Sequence, residues 1–274
     1  MSIADQFKVI VLDLHNTIFD EVIEYSLAID AAISQFPVDR KQLYEELSSA
    51  HKELGSDWDD DVWRMLPSLK NVSDDIIARA IKLRHEKSKE LTMDGVYPGA
   101  IEALKELKAR GKKIYIVSEV AANIGIQALD WLGLGKVIDG LYTYPSRMAA
   151  AKLDEVMHKT FPKDGNAHLK KPDPRLLMQV AEDAGVDLGS ILYVGDSKFK
   201  DGVMARDAGV KFAWAAYGKV VKDEKEFQHC MEILYGVTGW DKETLKLTQE
   251  SSRSVAVDSL VPDYVLKEGL AELL

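Results

Sequence analysis

Hydrophobic and polar positions follow two different periods along this chain, and the change between them marks its organisation. Val9, Ile10, Val11 and Leu12 form an unbroken aliphatic run, the pattern of a strand covered on both faces in a parallel α/β sheet. Similar runs recur at 113–117, 191–194 and 210–215. Between them, apolar residues return at helical spacing. Ile101, Leu104 and Leu107 follow Pro98-Gly99 and stop at Gly111, and Leu176, Leu177, Val180, Ala181 and Ala184 stop at Gly185. A shorter helix runs through Met204 and Ala208 to Gly209. This alternation from about residue 97 to 215 predicts βα units, and with them an α/β fold with a Rossmann-like parallel-sheet core.

Residues 20–94 keep only the helical period. Leu43, Leu47, Ala50 and Leu54 make one stripe behind a cap at Asp39, and Ser73, Asp74 and Asp75 open a second helix that carries Ile76, Ile77, Ala80 and Leu83. The expected organisation is a core of residues 1–19 and 95–274 with an inserted all-α cap of residues 20–94. Two roles stay open for the insert, a lid over the carboxyl ends of the strands or a set of packing helices at the sheet edge. His51, Trp58 and His85 read as surface or packing residues. Two extensions complete the core. Residues 143–170 are expected to hold a helix through Met148, Leu153, Val156 and Met157 and a loop from Phe161 to His168. Residues 216–262 carry an amphipathic segment at Phe227, Cys230, Met231 and Leu234, followed by Trp240 and Leu245, which fits core packing or a homodimer surface.

Composition narrows the partners. A chain of 274 residues exceeds the usual single domain, in keeping with a core plus an insert. Its 35 basic and 45 acidic residues give a net charge of −10, which argues against nucleic acid as the main partner. A small phosphorylated metabolite stays compatible, because a metal ion or a lysine can reverse the field inside one cleft. The single cysteine, Cys230, reads as a structural thiol in a reducing compartment. No apolar run reaches the roughly 18 residues of a membrane span, and Met1-Ser2-Ile3-Ala4-Asp5-Gln6 lacks a signal pattern, so a cytoplasmic protein with no membrane partner is expected.

Chemistry-bearing residues collect at the ends of the predicted strands. Asp13, His15 and Thr17 follow the first, Ser118 ends the second, and Asp196 and Asp201 follow the third, with Lys171 in a Lys170-Lys171-Pro172 turn just ahead of a helix. Ligands of parallel sheets bind beyond the strands' carboxyl ends. Taken singly, each has a plainer reading: Asp13 as a turn residue or helix cap, Ser118 as a cap, Lys171 as a solvated charge, Asp196 and Asp201 as turn and cap. Together they supply a carboxylate nucleophile, further carboxylates for a hard cation such as Mg²⁺, a hydroxyl donor and an ammonium for phosphate.

The order Asp13-Leu14-His15-Asn16-Thr17, Ile116-Val117-Ser118, Lys171-Pro172-Asp173-Pro174 and Val194-Gly195-Asp196-Ser197 with Asp201 resembles the four motifs of the haloacid dehalogenase (HAD)-like hydrolase superfamily, most of whose members are Mg²⁺-dependent phosphatases. Tyr97-Pro98-Gly99, the stretch from Asp196 to Gly209, and Pro262 to Leu266 with the final Leu270 to Leu274 add family-like wording. The resemblance implies that Asp13 attacks phosphorus to give an aspartyl-phosphate. It implies Ser118 and Lys171 as phosphate-binding residues, with Thr17 orienting the loop beside them. Asp13, the main-chain carbonyl of His15, Asp196 and Asp201 would hold Mg²⁺. The insert resembles the helical cap that such enzymes carry between the first two motifs.

One position departs from the pattern. Phosphatases of this family carry a second aspartate where this chain has His15, and that aspartate protonates the leaving oxygen. Histidine, with an ordinary pKa of about 6.5, suits the same proton transfers. The substitution also fits a 2-haloacid dehalogenase-like or phosphonate-cleaving enzyme, or a regulatory phosphate-binding module with little turnover. Retention of Asp196 and Asp201 speaks against the first, and a phosphonate hydrolase needs a Schiff-base lysine in its cap, for which Lys41, Lys52 and Lys70 are the candidates.

Overall fold

The computed structural model describes residues 2–54, 60–146, 156–221, 223–239 and 260–274. They group into two compact units, an α/β unit within Met1–Asp20, Val96–Val220 and Glu250–Leu274, and a helical unit within Glu21–Gly95 and Val221–Gln249. No described helix is long and apolar enough to cross a membrane.

Seven strands build the main sheet of the α/β unit: β1 (Val9–Leu12), β2 (Lys113–Ala121), β3 (Gly140–Tyr144), β4 (Met157–Thr160), β7 (Ile191–Gly195), β8 (Lys211–Ala215) and β9 (Tyr264–Leu266), in the order β4-β3-β2-β1-β7-β8-β9. Every neighbouring pair is parallel. Between β4 and β7 lies a small antiparallel pair, β5 (Lys163–Asp164) and β6 (Ala167–His168). β1 sits at the centre, and all four of its side chains are buried. Its alternate residues feed two apolar layers, as the two-residue period of a strand demands. Ile10 and Leu12 pack with Leu104 and Leu107 of α5 (Ala100–Ala109) and Leu129 of α6 (Ala122–Trp131). Val9 and Val11 pack with Leu177 and Val180 of α7 (Arg175–Ala184) and Met204 of α8 (Val203–Ala208). Each fully buried aliphatic chain contributes about 1.5–3 kcal/mol. The parallel-sheet fold read from the sequence is what the structure shows.

The chain leaves this unit after Asp20 and re-enters at Val96, where Phe19 bridges Val96 and the Tyr97 amide donates to the Ile18 carbonyl at 3.0 Å. The helical unit holds α1 (Glu21–Ile33), α2 (Arg40–Leu54), α3 (Asp60–Met65), α4 (Asp74–Asp94) and α9 (Glu224–Thr238). Asp39 caps α2, its Oδ1 accepting the Gln42 amide at 3.0 Å, and Ser73 stands at the N-cap of α4. Ile29, Leu43, Leu47, Trp63, Ile77, Ile233 and Val237 form its core.

Three expectations change. Residues after 220 do not all stay with the α/β unit: α9 joins the helical one, where buried Cys230 accepts the Ser26 hydroxyl at its carbonyl, 2.8 Å away. Met157 lies in edge strand β4 rather than in a helix, since it pairs with Gly140 in the sheet. The predicted loop from Phe161 to His168 contains the β5-β6 hairpin turning at Gly165, whose φ is +61°. Trp58, Met148, Leu153, Trp240 and Leu245 lie outside the described residues.

Candidate active site

The site grows from the register of three central strands. Leu12 lies opposite Ile116 of β2 and Val194 of β7, so the chain just beyond carries Asp13, Ser118 and Asp196 to the same end of the sheet. The loop after β1 turns sharply, with Asn16 at φ 53°, a left-handed conformation that asparagine tolerates better than most residues. Two glycines permit close approaches. A Cβ on Gly195 would meet Asp201 Oδ2 at 2.4 Å, and one on Gly218 would meet the Asn16 carbonyl at 1.8 Å.

Asp13, Asp196 and Asp201 each offer a carboxylate oxygen within 4.8 Å of the others. Lys171 threads between them. Its ammonium lies 2.8 Å from Asp13 Oδ1 and 2.9 Å from Asp201 Oδ1, and its side chain is only 2% exposed. Asp201 also accepts the Tyr193 hydroxyl at 2.9 Å and the Ser197 amide at 3.0 Å. It sits in a π-helical turn, Lys198–Gly202, a rare form that often marks functional sites. Lys219 pairs with Asp196 Oδ2.

Three carboxylates facing two ammoniums leave one negative charge in surplus. Burial pushes the Asp13 carboxyl up to about 7, helped by the Asp201 and Asp196 charges and opposed by Lys171. Asp196 moves up for the same reasons, burial first, with Lys219 opposing. Burial alone would pull Lys171 down, but Asp13 and Asp201 outweigh it and hold it firmly as an ammonium. Such a pocket favours a cation, and an all-oxygen donor set suits a hard divalent one such as Mg²⁺.

The remaining expected residues are placed less completely. Thr17 is fully buried, its carbonyl accepts the Tyr217 hydroxyl at 2.6 Å, and its own hydroxyl has no hydrogen-bond partner among the described residues. Ser118 is buried inside β2, where pairing with β3 becomes irregular after Val117. It is not a helix cap, since α6 starts behind Ala121. The His15 ring is partly buried and packs edge-on against Phe19, centroids 5.1 Å apart. Its imidazole is not part of the carboxylate cluster. Lys171 is not a solvated charge either, because two carboxylates compensate its burial.

Sequence reasoning missed four participants, Tyr193, Lys219, Glu119 and Lys200. Tyr193 was hidden in an apolar strand pattern, and Lys219 lay in a stretch read as an extension. Glu119 accepts the Lys171 amide at 3.2 Å and the Lys200 ammonium at 2.7 Å, tying the Lys171 turn and the π turn to β2. Its position directly after Ser118 was the available signal. Lys41, Lys52 and Lys70, the candidates for a Schiff base, are all exposed, which denies them the desolvation such a lysine needs.

With this geometry in hand, the relatives can be compared. A family model described as haloacid dehalogenase-like hydrolase matches residues 7–209. The chain is similar to phosphoglycolate phosphatase 1 of Pseudomonas aeruginosa, 25% identical over 231 residues that cover 80% of this chain and 75% of that protein. It is also similar to glyceraldehyde 3-phosphate phosphatase of Pyrococcus abyssi, 26% identical over 217 residues covering 77% and 82%. Among solved structures, L-2-haloacid dehalogenase from Xanthobacter autotrophicus shares the fold, with a TM-score of 0.51, 21% identity and coverage of 97% and 96%.

Proposed function

The chain belongs to the haloacid dehalogenase-like hydrolase family, and we propose that within it this enzyme is a Mg²⁺-dependent phosphatase acting on a small phosphorylated metabolite. The observation that carries the reading is the carboxylate cluster around a buried lysine: Asp13, Asp196 and Asp201 within 4.8 Å, with Lys171 bonded to two of them. Displacing halide from carbon needs only the first of those carboxylates, so retention of the other two favours phosphoryl transfer. Relatives named as phosphatases point the same way.

Asp13, the main-chain carbonyl of His15, Asp196 and Asp201 would hold the metal ion, which when bound offsets charge on the phosphoryl group. Asp13 attacks phosphorus with one carboxylate oxygen, a P–O bond forms, and the bond to the leaving oxygen breaks, giving an aspartyl-phosphate. His15 donates a proton to the leaving oxygen and later takes one from the water that hydrolyses the acyl phosphate. Lys171 steadies the nucleophile and the transferring group, while Ser118 and Thr17 stand on the phosphate side. The buried Thr17 hydroxyl, lacking a partner among the described residues, supports this role. In this reading the helical unit is the cap that selects substrates.

A panel of phosphomonoesters and 2-haloacids, assayed with and without Mg²⁺ on wild type and Asp13→Asn, tests the reading. Mg²⁺-dependent phosphate release that Asp13→Asn abolishes is the expected result. Halide release without added metal would overturn it.

A further inference from the structure

We propose that Lys219 is a built-in competitor for the cation site, its ammonium occupying Asp196 until a divalent ion displaces it. The inference rests on reading Asp13, Asp196 and Asp201 as that site. Lys219 is the ion-pair partner of Asp196, and the two side chains are 38% and 7% exposed. Lys171, the other ammonium in the cluster, is held by Asp13 and Asp201 at 2.8 and 2.9 Å. The labour is therefore divided, with one lysine bridging two acids deep in the site and the other closing the third from its rim.

The position of Lys219 is built in rather than incidental. It ends the short 3₁₀ turn Ala216–Lys219, and the two residues before it are fastened to the loop that follows Asp13. Tyr217 donates to the Thr17 carbonyl at 2.6 Å, and Gly218 lies so close to the Asn16 carbonyl that a side chain there would come within 1.8 Å of it. The backbone of Lys219 is thus held beside the cluster, while its side chain reaches Asp196 from the solvent side. A metal ion taking Asp196 Oδ2 displaces the ammonium from that oxygen, and even on the other oxygen of the same carboxylate the two positive charges repel at that spacing. Lysine suits a yielding partner: it is a point charge on a flexible stem, where arginine would grip the carboxylate with a planar fork.

The consequence is a weakened and adjustable metal affinity. An ion pair populated about nine-tenths of the time lowers the apparent affinity for the competing ion about tenfold. Mn²⁺ binding to the full-length protein, read by electron paramagnetic resonance of the free ion and by isothermal titration calorimetry, tests this without reference to turnover. Lys219→Gln is expected to bind Mn²⁺ about tenfold more tightly than wild type. Lys219→Arg keeps the competing charge and is expected to bind no more tightly than wild type, and it stands as a second variant should Lys219→Gln fold poorly. Equal or weaker binding by Lys219→Gln overturns the competitor role while leaving the metal site intact. Absence of Mn²⁺ binding in both wild type and Lys219→Gln removes the metal reading and this inference together.

Discussion

Both units bury charge, but they do so for opposite reasons. In the helical unit the buried polar residues of α4, Arg84, Ser88 and Thr92, recur at intervals of four along one face, and the first two meet partners of their own unit. Arg84 bonds Asp60 at 2.6 Å, and Ser88 donates to buried Glu24. These contacts join helices and set each donor against an acceptor. In the α/β unit β1 is apolar throughout and β7 is so but for the Tyr193 hydroxyl, and the acidic groups gather beyond their ends with like sign: Asp13, Asp196 and Asp201 around Lys171. That cluster carries more negative charge than its own lysines cancel. Charge that is satisfied internally serves packing, whereas charge in surplus waits for a ligand.

The largest expected effect separates the two kinds directly. Asp13→Asn should reduce phosphate release by at least about 10³-fold, since it removes the proposed nucleophile. The same change should leave cation-free thermal stability equal or higher, because it relieves a buried surplus charge. A drop in melting temperature like that of a core mutation would break the contrast. Lys171→Met should cost about 10²-fold or more in turnover and also destabilise the protein, as two carboxylates lose their shared partner.

Arg84→Met is the counterpart in the helical unit. Removing this fully buried guanidinium costs Asp60 its 2.6 Å bond while the His85 ring stays beside it, and the urea midpoint should fall by the equivalent of about 2 kcal/mol. Turnover per folded molecule should change by less than about threefold, as a packing role implies. A loss of activity without loss of stability would move Arg84 from scaffold to substrate contact.

The pH dependence sharpens the same distinction with a smaller effect. Asp13 has its folded pKa raised from 3.8 to about 7, and Asp196 is raised as well. The folded chain therefore holds protons that the unfolded chain releases, and this contribution is full below about 3.8 and lost as pH rises through 7. Urea titrations in EDTA should show stability declining across that window, with saturating Mg²⁺ flattening the decline. A flat profile without metal would mean that the surplus charge is already compensated. The smallest effect belongs to His158 on β4, whose pKa burial lowers from 6.5. Its contribution is present above 6.5 and lost as pH falls, and His158→Gln should remove that acid-side loss in the same urea titrations.

Much of the core was legible because its signals are local. The aliphatic runs of β1 and β7, the helix stops at Gly185 and Gly209, the Asp39 cap and the acidic first turn at Asp74 and Asp75 all stand where the residue pattern places them. β3, β4 and β9 escaped notice because the first two, Gly140–Tyr144 and Met157–Thr160, mix polar with apolar residues and lack an aliphatic run, and β9 is only three residues long. The apolar stripe read into α4 failed at Leu83, which is only partly buried while Arg84 next to it is fully inside. A helical period marks a face, but not whether a polar residue on the inner face will find Asp60. At the site, Asp13, Lys171, Asp196 and Asp201 could be named from four separated stretches, while Lys219 and Glu119 could not. Nothing near them in the chain identifies their partners, which come from other strands.

The sequence by itself determined the parallel-sheet fold, the helical insert and the residue types gathered at the strand ends, because strand and helix periods and glycine stops are short-range consequences of covalent geometry. Tertiary structure alone decided which of those groups touch. It set Lys171 between Asp13 and Asp201, closed Asp196 with Lys219, and moved α9 into the helical unit. Those pairings depend on burial and on charges brought together across long stretches of chain, and so does the surplus charge that makes Asp13 more than the end of a strand.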